Sequence, residues 1–279
     1  MPIYDLSYRH WEGTLRGSAG RWRVIAEAGI RLLLTKRLFT FMLLLCWVPF
    51  FVEATYVYVE LAMGAGPGFG IGPWFFQLAF AWQTPALVLV TIYAGSGLIA
   101  SDLAANALPI YFSKPITRTD YIAGKFVVIV SFLALVFLMP VLMLFAFTVG
   151  IDPKLDFVKA NYWLLGSILV YGTLTVAVIS LFILALSSMA KSGRVVGVTF
   201  IGVTILSPAI GGVISLITGS DQMLVLSVAR NMTTLSDAIF FQQATTRLSP
   251  VLSLLAAAAV VAWALWVLSR RIRPVEVVA

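Results

Sequence analysis

Apolar residues in this chain are gathered into six long runs, at about 38–59, 76–100, 124–149, 163–187, 195–217 and 250–268. A helix needs about 20 apolar residues to cross the hydrocarbon core of a bilayer, and each run is of that length. The sequence is 61% hydrophobic and only 11% charged. Soluble domains average about 45–50% apolar and about 25% charged. One globule could not hide this much apolar surface from water. The expected fold is an all-α integral membrane protein with six transmembrane helices across 38–268, flanked by segments 1–37 and 269–279.

Lysine and arginine set orientation, because they are retained on the cytoplasmic side. Arg9, Arg16, Arg21, Arg23, Arg31, Lys36 and Arg37 precede the first run. Segment 101–125, which reaches into the start of the third run, carries Lys114, Arg118 and Lys125, and segment 189–194 carries Lys191 and Arg194. Arg270, Arg271 and Arg273 follow the sixth, which leaves Lys154, Lys159, Arg230 and Arg247 for the other side. Six spans put all the basic segments on one side, so both termini are expected in the cytoplasm. The net charge of +7 thus reads as orientation and lipid headgroup contact, not as a nucleic-acid surface. No cleavable signal peptide is expected, since the first run is too long and too far in for an h-region.

Several local features carry expectations of their own. In residues 21–36, Trp22, Ile25, Gly29 and Leu32 share one helical face, and Arg23, Glu27 and Arg31 share another at i, i+4 spacing. This predicts an amphipathic helix lying in the membrane interface. Glu53 and Glu60 near the end of the first run read as solvated rim residues, and Cys46 as a packing residue. Gln83, Thr84 and Pro85 suggest a kink with polar lining in the second run, and Tyr93 is a further candidate for lining a path. The small residues Ala94 to Gly97 favour close helix contact. Pro140, and Pro208 with Gly211 and Gly212, predict kinks in runs three and five. Residues 218–249 carry two short apolar stretches, Met223–Val228 and Ala238–Phe241, expected as interfacial or re-entrant helices.

Enzymatic chemistry finds no foothold. The glycine-rich stretch 64–72 lacks the Gly-Lys-Ser/Thr of a phosphate-binding loop, and the one Gly-Lys pair, Gly124-Lys125, runs into Phe126. The single histidine, His10, lies in the N-terminal segment. No catalytic constellation, metal-ligand cluster or nucleotide site is expected in this chain.

The polar island 99–125 is the most organised stretch between two runs. Asp102 to Phe112 reads as a short helix interrupted at Pro109, with Leu103, Ala107 and Ile110 on one face. Lys114-Pro115 ends it, because a residue before proline is pushed out of helical geometry. Thr117 and Asp120 then form a capping pair that starts the third span. Helix, sharp turn and freshly capped helix make a knuckle able to pass a push from a soluble partner to two spans.

Ser113-Lys114-Pro115-Ile116-Thr117-Arg118-Thr119-Asp120-Tyr121, with Ser101-Asp102-Leu103 before it and Gly124-Lys125 after, resembles the segment between spans 2 and 3 of ABC-2-type permeases. These are the membrane subunits of ATP-binding-cassette transporters, mostly exporters. The resemblance implies a coupling helix that docks on an ATPase, with contacts from Asp102, Leu103, Asn106, Leu108, Tyr111, Phe112 and Lys114 and a turn at Pro115 and Arg118. It also implies two ATPase subunits on a separate chain, which would hold the ATP and Mg. A second permease copy, identical or homologous, would share the path in the cytoplasmic (inner) membrane. Pro109 departs from the family, many of whose members carry an acid there.

The resulting expectation is a permease subunit that couples ATP hydrolysis by its partner to export. A mostly apolar and aromatic lining favours a lipidic or amphipathic cargo. The alternatives are a non-transporting or mechanotransmitting scaffold of an ABC complex, and a gradient-driven secondary transporter. The second alternative calls for ionisable residues deep within spans, and the sequence offers none near a span centre.

Overall fold

The computed structural model describes residues 20–64, 70–114, 116–152, 156–244 and 248–272. His10, Pro115 and the centre of the glycine-rich stretch lie outside them. The described residues are helical without strands, and six helical stretches are long and apolar enough to span a membrane. They run Arg37–Leu61, Pro73–Ala104, Arg118–Ile151, Leu164–Met189, Gly193–Thr218 and Pro250–Arg271. The chain is therefore a multi-pass membrane protein.

Three of the spans are broken helices. A first helix, α1 (Arg21–Leu34), precedes span 1, which consists of α2 (Arg37–Leu45) and α3 (Val48–Leu61). Pro49 sits in the first turn of α3, where its missing N–H costs nothing. Span 2 begins as α4 (Pro73–Val90), loosens into a π-helical turn at Thr91–Gly95, and resumes as α5 (Ala100–Ala104). The break falls on the small-residue patch, whereas Pro85 stays within continuous helix. After α6 (Leu108–Phe112), span 3 runs as α7 (Arg118–Leu133), a π-helical turn at Ala134–Leu138, and α8 (Met139–Ile151) with Pro140 in its first turn. The short α9 (Asp156–Asn161) leads to two unbroken spans, α10 (Leu164–Met189) and α11 (Gly193–Thr218). Pro208 therefore does not interrupt span 5.

Breaks leave backbone carbonyls without partners, and hydrocarbon offers no water to satisfy them. Two buried side chains take up this role. Gln83 is fully buried, and with its amide turned to donate, Nε2 lies 3.1 Å from Val136 O and 3.2 Å from Cys46 O. Val136 stands four residues before Pro140, so its carbonyl lost its helical donor to the proline. Cys46 ends α2 at the break in span 1. Gln83 thus ties spans 1, 2 and 3 together from within. Ser187 of α10, also fully buried, accepts from the amides of Ile99 and Ala100 at 3.1 and 3.0 Å and donates to Ser96 O at 2.8 Å. It closes the break in span 2.

Close approach of backbones completes the bundle, as expected where lipid removes the hydrophobic drive between helices. A Cβ on Gly95 would lie 2.8 Å from Ile183 Cγ1, so spans 2 and 4 meet at a glycine. Helix α1 rests on α7 through Gly124, where a Cβ would come within 2.7 Å of the Ile25 Cβ. Its buried residues are Ile25, Ala26 and Leu33. Leu32 is 65% exposed and does not belong to that face. On the opposite face Arg31 pairs with Glu27 at 2.9 Å, fully in the open.

At the end of the bundle reached by spans 5 and 6, a 3-10 turn at Asp221–Leu226 leads into α12 (Val228–Ile239), followed by α13 (Pro250–Arg271). The helix there covers 228–239, not Ala238–Phe241. Its buried face includes Asn231, Thr234, Ser236 and Asp237, polar residues that a search for apolar stretches passes over. Gln77 of α4 hydrogen-bonds Asp237, and Ser167 Oγ donates to Ile239 O at 2.8 Å.

Replacing Gln83 by leucine should lower stability by about 1–3 kcal/mol, because carbonyls are left orphaned. Thermal unfolding in detergent micelles, followed by tryptophan fluorescence, reads this as a lowered midpoint; an unchanged midpoint would remove the bracket. Gly124→Leu should lift α1 from α7, seen as faster tryptic cleavage at Arg21, Arg23 and Arg31.

Candidate functional site

The knuckle between spans 2 and 3 is two short helices, not one helix broken at Pro109. The chain turns at Asn106, which takes a left-handed φ of 50°, and Pro109 occupies the first turn of α6. Asparagine tolerates that conformation better than most residues. Thr117 starts α7 with a reciprocal cap. Its Oγ1 accepts from Asp120 N at 3.1 Å, and Asp120 Oδ2 accepts from Thr117 N at 3.1 Å.

Inside the knuckle, Asp102 Oδ2 meets Lys125 Nζ at 2.8 Å and accepts from the Tyr121 hydroxyl at 2.7 Å. Tyr121 is fully buried and Lys125 nearly so. The Tyr111 ring stands edge-on to Tyr121 with centroids 5.2 Å apart, and Phe112 lies 6.2 Å away on another side. Lys125 Nζ sits over both tyrosine rings, 6.0 Å from Tyr111 and 5.5 Å from Tyr121. Burial, and behind it the Asp102 carboxylate, push the Tyr111 phenol above its ordinary value, so it stays neutral. Here a carboxylate, an ammonium and aromatic faces satisfy one another. Span 2 is thereby latched to span 3 at the end of the bundle that carries most of the lysine and arginine.

The residues singled out by sequence divide into two groups. Asp102, Leu108, Tyr111 and Phe112 turn inward or are half-buried, and they hold the knuckle in shape. Asn106, Lys114 and Arg118 are exposed, and Leu103 is half-buried against the core. Ile110, 66% exposed on α6, is the apolar residue that the knuckle presents outward. Tyr121 and Lys125 complete the latch. The sequence reading took Lys125 as an orienting charge and as part of the Gly124-Lys125 pair; it stands one turn beyond Tyr121, but that spacing does not show that Asp102 turns toward it.

The three residues proposed to line a path also separate. A cavity of about 150 Å³ lies between α4, α10, α11 and α12. Thr84 lines it with Leu87, Phe137, Tyr171, Phe200 and Met232. Gln83 faces the interior of spans 1 to 3 instead. Tyr93 stacks on Phe39, with centroids 5.1 Å apart, under Lys36 at 5.9 Å.

Glu53 is the clearest departure from the sequence expectation. It is 8% exposed, and neither carboxylate oxygen has a hydrogen-bond partner among the described residues. It is not a solvated rim residue, because α3 turns it toward α4. Glu60 does reach the connecting loop, where its Oε1 accepts from Gly70 N at 3.3 Å.

No protein-family model matches this chain, and no curated protein matches it significantly.

The latch gives a direct test. Asp102→Asn and Lys125→Met should each cost roughly 2–4 kcal/mol, since each strands a nearly buried charge. The double variant should fall short of the sum by more than about 1 kcal/mol. Thermal unfolding of the four proteins measures the coupling, and strict additivity would dissolve the latch.

Proposed function

We propose that this chain is the permease subunit of an ABC-2-type transporter, coupling ATP hydrolysis by a separate ATPase to export. The observation that supports this best is the latched knuckle: a small rigid body joined to spans 2 and 3 and presenting Ile110, Asn106 and Lys114 outward. In this reading both termini are cytoplasmic, α1 is the amphipathic interfacial helix, and α6 is the coupling helix that docks on the ATPase. Asp102, Tyr111 and Phe112 then act by holding its shape, and Ile110 supplies the contact.

The mechanism follows from the two-state rule that nucleotide must bind one state better in order to drive a change. ATP would close two ATPase subunits against each other and move the knuckle. The Asp102–Lys125 pair would carry that movement into spans 2 and 3 together. The π-helical turns at Thr91–Gly95 and Ala134–Leu138 are places where these spans can flex. Only 11% of the apolar window of span 5 is buried within the chain, against 61% for span 4. A second copy, or lipid, would cover that span, and a path for a lipidic or amphipathic cargo would lie beside it.

One observation favours a gradient-driven carrier as the second reading. Glu53 is a buried carboxyl within a span, without a hydrogen-bond partner among the described residues, the kind of group such carriers use.

Affinity purification from the native membrane in mild detergent separates the two. A stoichiometric Walker-motif ATPase should copurify with the intact chain and be lost from Ile110→Asp, a surface substitution that leaves the fold in place. A folded chain that recruits no ATPase would end the permease reading.

A further inference from the structure

A cavity of about 240 Å³ opens on the side of the bundle between α3 and α4. Its walls include Glu53, Tyr56, Trp74, Phe75 and Trp82. Tyr56 and Phe75 stack with centroids 5.4 Å apart, and Trp74 stands edge-on to Phe75 at 6.0 Å. Among the described residues, no lysine or arginine lines it. The Glu53 oxygens and the Tyr56 hydroxyl are all buried and without hydrogen-bond partners among the described residues. Glu53 lies eight residues before the end of α3, about 12 Å along the helix axis. That depth removes it from bulk water.

A carboxyl stranded among aromatic faces is costly to hold. The arrangement makes sense when something cationic completes it. A metal ion does not fit, because hard cations need several oxygen ligands and the cavity offers one carboxylate and one phenol. Aromatic faces instead attract large, weakly hydrated cations through the ring quadrupole, and a carboxylate adds the opposite charge. The cavity mouth is flanked by exposed Val52 and Leu78, an apolar margin suited to a hydrocarbon tail.

We propose that this lateral cavity binds an organic ammonium group, with Glu53 as counter-ion and Trp82 and Tyr56, near its depth on α4 and α3, as aromatic walls. The ammonium could belong to a lipid headgroup or to a free amphiphilic cation, and the chemistry is the same. The site depends on the chain crossing a bilayer and not on an ATPase partner, so failure of the copurification experiment would leave it untouched.

Radiolabelled benzyltrimethylammonium is the probe, and the full chain in nanodiscs of pure phosphatidylglycerol is the receptor. Saturable binding is expected. Glu53→Gln, nearly isosteric at a residue with no hydrogen-bond partner among the described residues, should weaken it at least tenfold. Trp82→Ala, at a position 55% exposed and so safe for folding, should weaken it roughly two- to thirtyfold. Neopentylbenzene, the uncharged carbon analogue, should not compete. Adding phosphatidylcholine, whose headgroup ends in a quaternary ammonium, to the nanodiscs assigns the source: competition points to a lipid headgroup, and unchanged binding to a free cation. The proposal falls if the folded wild type shows no saturable binding, if Glu53→Gln binds as tightly as wild type, or if neopentylbenzene competes equally.

Discussion

A broken helix inside a membrane must find donors for the carbonyls it frees, and this requirement organises the molecule. Spans 1 and 3 both depart from regular helix near a proline, and Gln83 donates to a carbonyl from each. Span 2 breaks at its small-residue patch, and Ser187 accepts from the two amides that the break frees. Remove these side chains and each break becomes an unsatisfied polar group in hydrocarbon, where water cannot compensate. The fully buried Gln83 and Ser187 are thus what permit spans 1, 2 and 3 to be irregular. Irregular spans can bend, and bending is what a moving membrane subunit requires.

The same logic operates at the knuckle with charges in place of carbonyls. Asp102 and Lys125 come from different spans and neutralise each other under a cover of tyrosines. Such a pair adds less to stability than to geometry, since desolvation offsets most of its attraction. Its consequence is that α5, α6 and the start of α7 form one body. At the other end of the bundle, α12 is fastened to α4 and α10 by hydrogen bonds from Gln77 and Ser167. The two ends of the bundle are held by polar contacts and the middle by aromatic packing around Phe80, whose ring lies 4.8 Å from Phe137 and 5.0 Å from Tyr171.

Much of the outline was legible in the sequence because it depends on local chemistry. Six stretches of sufficient length and apolarity exist whatever they pack against. The Thr117–Asp120 cap is also local, being set by a hydroxyl and a carboxylate three residues apart. The helix at 228–239 was missed because its buried face is mostly polar, and Asp237 on it is met by a distant residue, Gln77. Leu32 was placed on the wrong face of α1 because spacing alone does not choose between neighbouring rotations of a helix. Proline misled as well: Pro85 and Pro208 sit in continuous helix, while the real break in span 2 comes at residues without proline.

By itself the sequence determined the number of spans, their approximate limits and the chain's character as a helical membrane protein, since these follow from the cost of moving each residue into hydrocarbon. Tertiary structure decided where the spans break, that Gln83 and Ser187 mend the breaks, that Asp102 turns inward to Lys125, and that Glu53 is buried rather than solvated. Each of these depends on which distant residue supplies a donor, a countercharge or an aromatic wall, and no pattern along one helix carries that information.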